Sequence, residues 1–109
     1  PKAIARHEIY CTFEDVAREA AKVLKSGGRF YMVHRPHRLM ELLGTLREYR
    51  LEPKRLRMVH SFADTQANMV LVEAVKDARP TLQPEPPLIV YEQDGTMTPE
   101  LRKIYHQQD

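Results

Sequence analysis

The sequence has 109 residues and a mass of 12.7 kDa, a size that supports one hydrophobic core but not two. Hydrophobic residues make up 42% and charged residues 29%, which excludes a chain that is disordered throughout. Uncharged apolar runs such as Met69–Val72 are far shorter than the roughly 20 residues that a membrane span needs. The single cysteine, Cys11, excludes an intrachain disulfide and a zinc site built from cysteine pairs. It fits a reducing cytoplasm, where we expect the protein.

Positive charge is concentrated in the middle of the sequence. The net charge is +2, but residues 29–57 carry eight Lys or Arg and three Glu, a local charge of +5. The remaining nine basic and twelve acidic residues give −3. This pattern favours a polyanionic partner such as a nucleic acid, and it is also compatible with a solvated arginine-rich surface.

The first predicted element is a helix over residues 13–25. Thr12 and Asp15 have the spacing of a capping box, and apolar residues then recur at helical spacing. Gly27 and Gly28 mark its end.

Two strands and a second helix are predicted next. Arg29–Val33 is short, aromatic and typical of a strand. Pro36 is placed as the first residue of a helix, which cannot continue through Pro53. A half-exposed strand is predicted after Pro53, because apolar and arginine residues alternate there (Arg55, Leu56, Arg57 and Met58).

Met69–Val72 is apolar at every position, which predicts a strand covered on both faces. The strand–helix–strand unit before it implies a parallel pair with a right-handed crossover. The last two strands, joined by the polar stretch Ser61–Asn68, are candidates for antiparallel neighbours.

The remainder of the chain is rich in proline. The four prolines Pro80, Pro84, Pro86 and Pro87 indicate an extended linker after Ala78, followed by a short strand within Leu88–Tyr91. Asp94-Gly95 predicts a turn, and Thr98-Pro99 predicts the start of a C-terminal helix.

Motifs for an active site are weak. The five histidines lack the spacing of a metal site, so no metal is expected. Cys11 precedes a helix but is more typical of a small packing residue. Gly27-Gly28 follows a helix and precedes a strand, the reverse of a phosphate-binding loop.

Several segments nevertheless match one known family in order and spacing. They are Ala5-Arg6-His7-Glu8, Leu24–Phe30, Met32–Pro36 with Arg38-Leu39, Pro53–His60, Ala67–Ala74, Ile89–Tyr91 and Leu101–Tyr105. Together they resemble the C-terminal half of bacterial tRNA adenine-N6 methyltransferases, which modify the adenine beside the anticodon of a valine tRNA. Those enzymes belong to the S-adenosylmethionine-dependent, Rossmann-like "small-domain" methyltransferases.

The resemblance implies an α/β fold that is the C-terminal part of a Rossmann-like class I methyltransferase sheet. Its order is helix, strand, helix, strand, strand, with the last strand antiparallel, and the sheet is incomplete. Residues 1–78 correspond to the C-terminal half of the methyltransferase domain, and residues 79–109 to a proline-rich linker, a short strand and a C-terminal helix.

The resemblance also implies that the chemistry lies outside this sequence. The family's glycine-rich loop, the acidic residue of its second strand and its Asn-Pro-Pro-Tyr motif do not occur here. The family pattern places that last motif just before Pro1, so we expect further residues upstream. S-adenosylmethionine is thus expected as the cofactor of the parent enzyme, with no catalytic or cofactor-binding residue in this chain.

The site residues that the resemblance carries over are nucleic-acid contacts. Those implied are Arg6, His7, Arg35, Arg38, Lys54, Arg55 and Arg57. The predicted function is therefore a fragment of a tRNA-modifying methyltransferase that is inactive alone. A non-catalytic RNA-binding or assembly module on the same scaffold, and a methyltransferase with another acceptor, remain alternatives.

Two protein partners are also expected. The first is the N-terminal half of the methyltransferase domain. The second is another copy of this chain, because the strand Arg29–Val33 would lack the neighbour that it has in the parent fold. We expect a homodimer through that strand.

Overall fold

The computed structural model describes residues 12–107, which form a mixed sheet with two helices packed on one face. The helices are α1 (Phe13–Val23), α2 (Leu39–Glu48) and α3 (Pro99–Gln107). The strands are β1 (Arg29–His34), β2 (Leu51–His60), β3 (Ala67–Lys76), β4 (Gln83–Pro84) and β5 (Leu88–Ile89).

The predicted capping box at the start of α1 is confirmed. Thr12 Oγ1 accepts a hydrogen bond from the Asp15 N–H at 3.1 Å, and the Asp15 carboxylate accepts one from the Thr12 N–H at 3.0 Å. The helix ends at Val23, two residues before the predicted end. Leu24 is already extended, with φ −87° and ψ 135°, so the chain leaves the helix before it reaches Gly27.

The helix predicted from Pro36 begins differently. Pro36–Arg38 form one turn of 3₁₀-helix, and the α-helix proper begins at Leu39. Arg38 has φ −104° and ψ 12°, which separates the two segments. The apolar side chains of this helix face the core, where Leu42 and Leu46 are fully buried.

The sheet corrects one prediction of topology. Its order is β1-β3-β2-β4, with β5 also paired to β2. β1 and β2 are parallel to each other, but β3 lies between them and is antiparallel to both. They are therefore not hydrogen-bonded neighbours, since the last long strand inserts between them. The predicted antiparallel pairing of β2 with β3 is confirmed.

A β-bulge in β2 decides which side chains face the core. Pro53 pairs with Ala74 and Arg55 with Glu73, so Lys54 is an extra residue without a partner in β3. Because side chains alternate along a strand, this insertion returns Leu56 to the core face and turns Arg55 to the opposite face.

Helices α1 and α2 pack on one face of the sheet and not on the other. α1 and α2 pack on the face that carries the buried side chains of Met32, Val70, Val72 and Ala74. Burial of each large apolar side chain in this layer contributes about 1.5–3 kcal/mol.

The opposite face, which we call the open face, carries Tyr31, Val33, Met69 and Leu71, and the first two are 65% and 57% exposed. The prediction that Met69–Val72 is covered on both faces is therefore wrong for the described residues. Val70 and Val72 are buried, whereas Met69 is exposed and Leu71 half-buried. The helices cover only one face.

The proline-rich segment runs alongside β2. β4 pairs with Arg55 and Leu56, and β5 with Val59 and His60, both in parallel. The predicted turn at Asp94-Gly95 is confirmed by the bridge between Tyr91 and Met97 that it closes, with Gly95 at φ +90°. Thr98 then caps α3 by accepting a hydrogen bond from the Leu101 N–H.

Candidate functional site

The carboxyl ends of β1 and β2 meet at one edge of the sheet, together with the amino end of β3. We call this the carboxyl edge, and it carries His34, Arg35, Ser61 and Asn68. The edge follows from the topology, because β1 and β2 run in the same direction on either side of β3. Ligands of open α/β sheets bind outside the carboxyl ends of the strands.

Arg35 occupies the point where the chain leaves β1. The following Pro36 restricts it to extended backbone, observed at φ −77° and ψ 139°. Its backbone N–H donates to His34 Nδ1 at 2.8 Å. The Arg35 side chain is exposed, and none of the ion pairs among the described residues involves its guanidinium. Its charge is therefore available to an anionic ligand.

A shallow pocket of about 590 Å³ adjoins Arg35. It is lined by Val33, His34, Arg35, Asn68 and Met69. The Asn68 amide nitrogen donates to Ser61 Oγ at 2.7 Å, which holds the amide in place beside the pocket. A guanidinium, an imidazole and an amide next to apolar side chains can contact a phosphate and the edge or face of a base.

Arg38 is less available than Arg35. Its Nε and Nη2 atoms donate to the two carboxylate oxygens of Glu41, at 3.2 and 2.9 Å. These hydrogen bonds, followed by the Coulombic attraction, lower the pKa of Glu41 and raise the pKa of Arg38. The charge of Arg38 is thus offset by a carboxylate on the next turn.

Arg55 and Arg57 lie together on the open face of β2. Arg55 Nε donates to Glu85 at 2.6 Å, and Glu73 lies 4.0 Å from Arg55 Nη1. Arg57, whose side chain is 24% exposed, donates to the Glu100 carboxylate and to the Pro86 carbonyl. Three carboxylates thus surround two guanidinium groups, so this part of the predicted basic surface carries no excess positive charge.

The other predicted contact residues are scattered. Lys54 Nζ donates to the Arg79 carbonyl oxygen at 2.8 Å. Arg6 and His7 lie outside the described residues. Arg57 of β2 pairs with Leu71 of β3, which in turn pairs with Val33 of β1. Arg57 is therefore two strand spacings from β1, about 10 Å away. The structure thus brings Arg35 and Arg38 together at the carboxyl edge and places Lys54 and Arg55 towards the other end of β2.

Sequence reasoning missed the residues that surround these groups. Glu85 lies in the proline-rich segment and Glu100 at the start of α3, and no local pattern connects either to β2. In the sequence, Asn68 is recognisable only as the end of the polar stretch that begins at Ser61. Its position beside Arg35 follows from the insertion of β3 next to β1.

The glycines do not form a site for a nucleotide-like cofactor. Gly27, at φ +88°, donates its N–H to the Lys76 carbonyl, and the Gly28 carbonyl accepts from the Lys76 N–H, both at 2.8 Å. A Cβ at Gly28 would lie 2.9 Å from the Lys25 carbonyl oxygen. Gly27 and Gly28 thus join α1 to the sheet and do not form a phosphate-binding loop.

Among residues 12–107, no three His, Cys, Asp or Glu side chains lie close enough together to hold a metal ion. No helix in that range is long and apolar enough to cross a membrane.

The fold is similar to that of a solved protein. No known family model matches the sequence, and neither does any curated protein. A crystal structure of a predicted O-methyltransferase from Agrobacterium tumefaciens matches with a TM-score of 0.80 and 28% sequence identity. The match covers 89% of this chain and 47% of that chain. The sheet is a methyltransferase-like scaffold.

The predicted fold class is therefore confirmed as an α/β sheet of the methyltransferase type with its last long strand antiparallel. The chain spans about half the length of that predicted O-methyltransferase.

Proposed function

We propose that this chain is the C-terminal part of an S-adenosylmethionine-dependent methyltransferase that acts on adenine N6 of tRNA in the cytoplasm. The observation that carries the proposal is the similarity of the fold to that of a predicted O-methyltransferase over 89% of the chain. The acceptor is inferred from the sequence resemblance, and the exposed Arg35 at the carboxyl edge supports an anionic substrate.

In this proposal the two halves of the domain have different tasks. The N-terminal half, as partner, supplies the cofactor loop and the residues that grip the target amine. The present chain completes the sheet and presents its carboxyl edge to the RNA. It is inactive alone, because its glycines serve the turn between α1 and β1.

Among the residues proposed to contact tRNA, Arg35 has the strongest support. Arg38 follows, because it lies at the same edge and can exchange Glu41 for a phosphate. Lys54, Arg55 and Arg57 would first have to leave their intramolecular partners. Contacts of this kind reach phosphates, so binding is weak and strongly dependent on salt.

Filter binding of tRNA at low salt tests this surface. We expect Arg35→Ala to weaken binding about three- to tenfold and to reduce the salt dependence by about one phosphate contact. Arg47→Ala removes the same charge from α2, where Arg47 pairs with Glu52, and serves as the matched control. Equal effects of the two substitutions, or binding that does not respond to salt, would contradict a specific role for Arg35.

A second acceptor class is favoured by one observation, since the similar structure is that of a predicted O-methyltransferase. The two candidate acceptors, adenine N6 of tRNA and a hydroxylated molecule, are distinguished by a transfer assay. The parent gene, including the sequence upstream of Pro1, is expressed and supplied with radiolabelled S-adenosylmethionine. Formation of N6-methyladenosine in tRNA supports the proposal, whereas label in a hydroxylated acceptor alone contradicts it. Binding of tRNA without transfer to any acceptor identifies the non-catalytic module instead.

A further inference from the structure

The two outer long strands of the sheet, β1 and β2, differ in whether a further strand pairs with them. The β2 edge is covered by β4 and β5, which run parallel to it. β1 pairs with β3 along all six of its residues, and no strand among residues 12–107 lies on its other side. That side presents a row of backbone N–H and C=O groups, the usual template for adding another strand.

The side chains of β1 do not protect this edge. The strand contains no proline and no acidic residue, and Arg29 at its start carries its only fixed charge. Tyr31 and Val33 project from the open face, 65% and 57% exposed. Apolar side chains and unpaired backbone groups are thus exposed along the same six residues.

We propose that a second copy of this chain occupies the edge, with β1 antiparallel to its counterpart and the two-fold axis at Tyr31. This register places Arg29 opposite Val33 of the second copy and Phe30 opposite Met32, and it pairs the two Tyr31 residues. Aromatic and apolar cross-strand pairs of this kind stabilise antiparallel strands. With a two-fold axis, both copies use the same strand edge, so no free edge of this kind remains and the assembly stops at a dimer.

The charges in and beside β1 favour this register over the one with the two-fold axis at Met32. An axis at Met32 would place Arg29 opposite Arg35 of the second copy, and like charges directly opposite each other are destabilising. With the axis at Tyr31, the residue opposite Arg29 is apolar and His34 lies opposite Gly28.

The inference does not rest on the proposed function. In a longer protein, a strand of the N-terminal half can take the same edge, so the test uses the 109-residue chain itself. If the dimer is not found, the proposed methyltransferase function is unaffected. If the transfer assay fails, the proposed dimer is unaffected.

Light scattering coupled to size exclusion tests the stoichiometry. At high micromolar concentration we expect twice the chain mass of 12.7 kDa, and Tyr31→Lys reduces the mass to that of one chain. Met40→Lys introduces the same charge at an 84% exposed position on α2 and leaves the dimer intact. Circular dichroism confirms that both variants are folded. A monomeric wild type, or a Tyr31→Lys variant that remains dimeric, overturns the proposal.

Cross-linking tests the position of the axis. In a Cys11→Ser background, Tyr31→Cys places two cysteines at the two-fold axis. Opposite Cα atoms of antiparallel strands are about 4.5–5.5 Å apart, within the range for a disulfide. We expect oxidation to link the Tyr31→Cys variant rapidly and a matched Met40→Cys variant slowly. Equal rates for the two overturn the register.

Discussion

Thr12 and Asp15 begin α1 by satisfying each other's backbone N–H groups. Replacing an N-cap threonine with alanine leaves one of these donors unpaired and costs about 1 kcal/mol. We therefore expect Thr12→Ala to lower the free energy of unfolding by about that amount, measured by urea denaturation. Thr45→Ala is the matched control, since Thr45 lies inside α2 and only donates to the Glu41 carbonyl. A loss as large for Thr45 would contradict the capping role.

The same capping box makes stability depend on acid. The hydrogen bond from the Thr12 backbone, followed by that from Arg18, lowers the pKa of Asp15 below its ordinary value of 3.8. A lowered carboxyl pKa contributes stability that is fully present above the unfolded value and is lost as pH falls through the folded value. We expect the stability difference between wild type and Asp15→Asn to be constant near neutrality and to shrink below about pH 3.8. Denaturation at several pH values measures it, and a difference independent of pH would contradict the ionised cap.

At the scale of elements, the bulge at Lys54 moves the core-facing positions of β2 from odd to even residue numbers. Deleting Lys54 removes only the extra residue, so Arg55 stays opposite Glu73 and Leu56 stays on the core face. We therefore expect the deletion variant to keep cooperative thermal unfolding. Lys54→Ala removes the same side chain and its hydrogen bond to the Arg79 carbonyl but keeps the bulge, and it is the matched control. A deletion variant that unfolds without cooperativity, while Lys54→Ala melts as a folded protein, would contradict this register.

Local signals were sufficient to predict α1, β1 and the cap of α3 from the sequence. The capping box, the aromatic strand and the Thr-Pro pair each lie within a few residues of the structure that they specify. The position of β3 could not be read in this way, because strand order depends on pairing between distant residues. The partners of Arg55 and Arg57 were hidden for the same reason, since Glu85 and Glu100 lie about 30 and 43 residues further along the chain.

For the whole molecule, the main expectation concerns the methyl donor. Because Gly27 and Gly28 are engaged with β3, the described residues offer no glycine-rich turn for close backbone approach to a nucleotide. We expect isothermal calorimetry with S-adenosylmethionine to detect no tight binding to the 109-residue chain. A complete methyltransferase domain under the same conditions is the control. A micromolar dissociation constant at one site per chain would show that this chain holds the cofactor after all.

The insertion of β3 between β1 and β2 also sets the order in which the protein can assemble. Neither β1 nor β2 has a long hydrogen-bonded neighbour until residues 67–76 arrive between them. A ribosome-bound chain that ends before Ala67 can therefore form its two helices but cannot form this sheet. Pairing that waits for distant segments folds slowly and leaves strand edges exposed in the interval. During synthesis, β1 and β2 would thus be the segments most in need of chaperone protection.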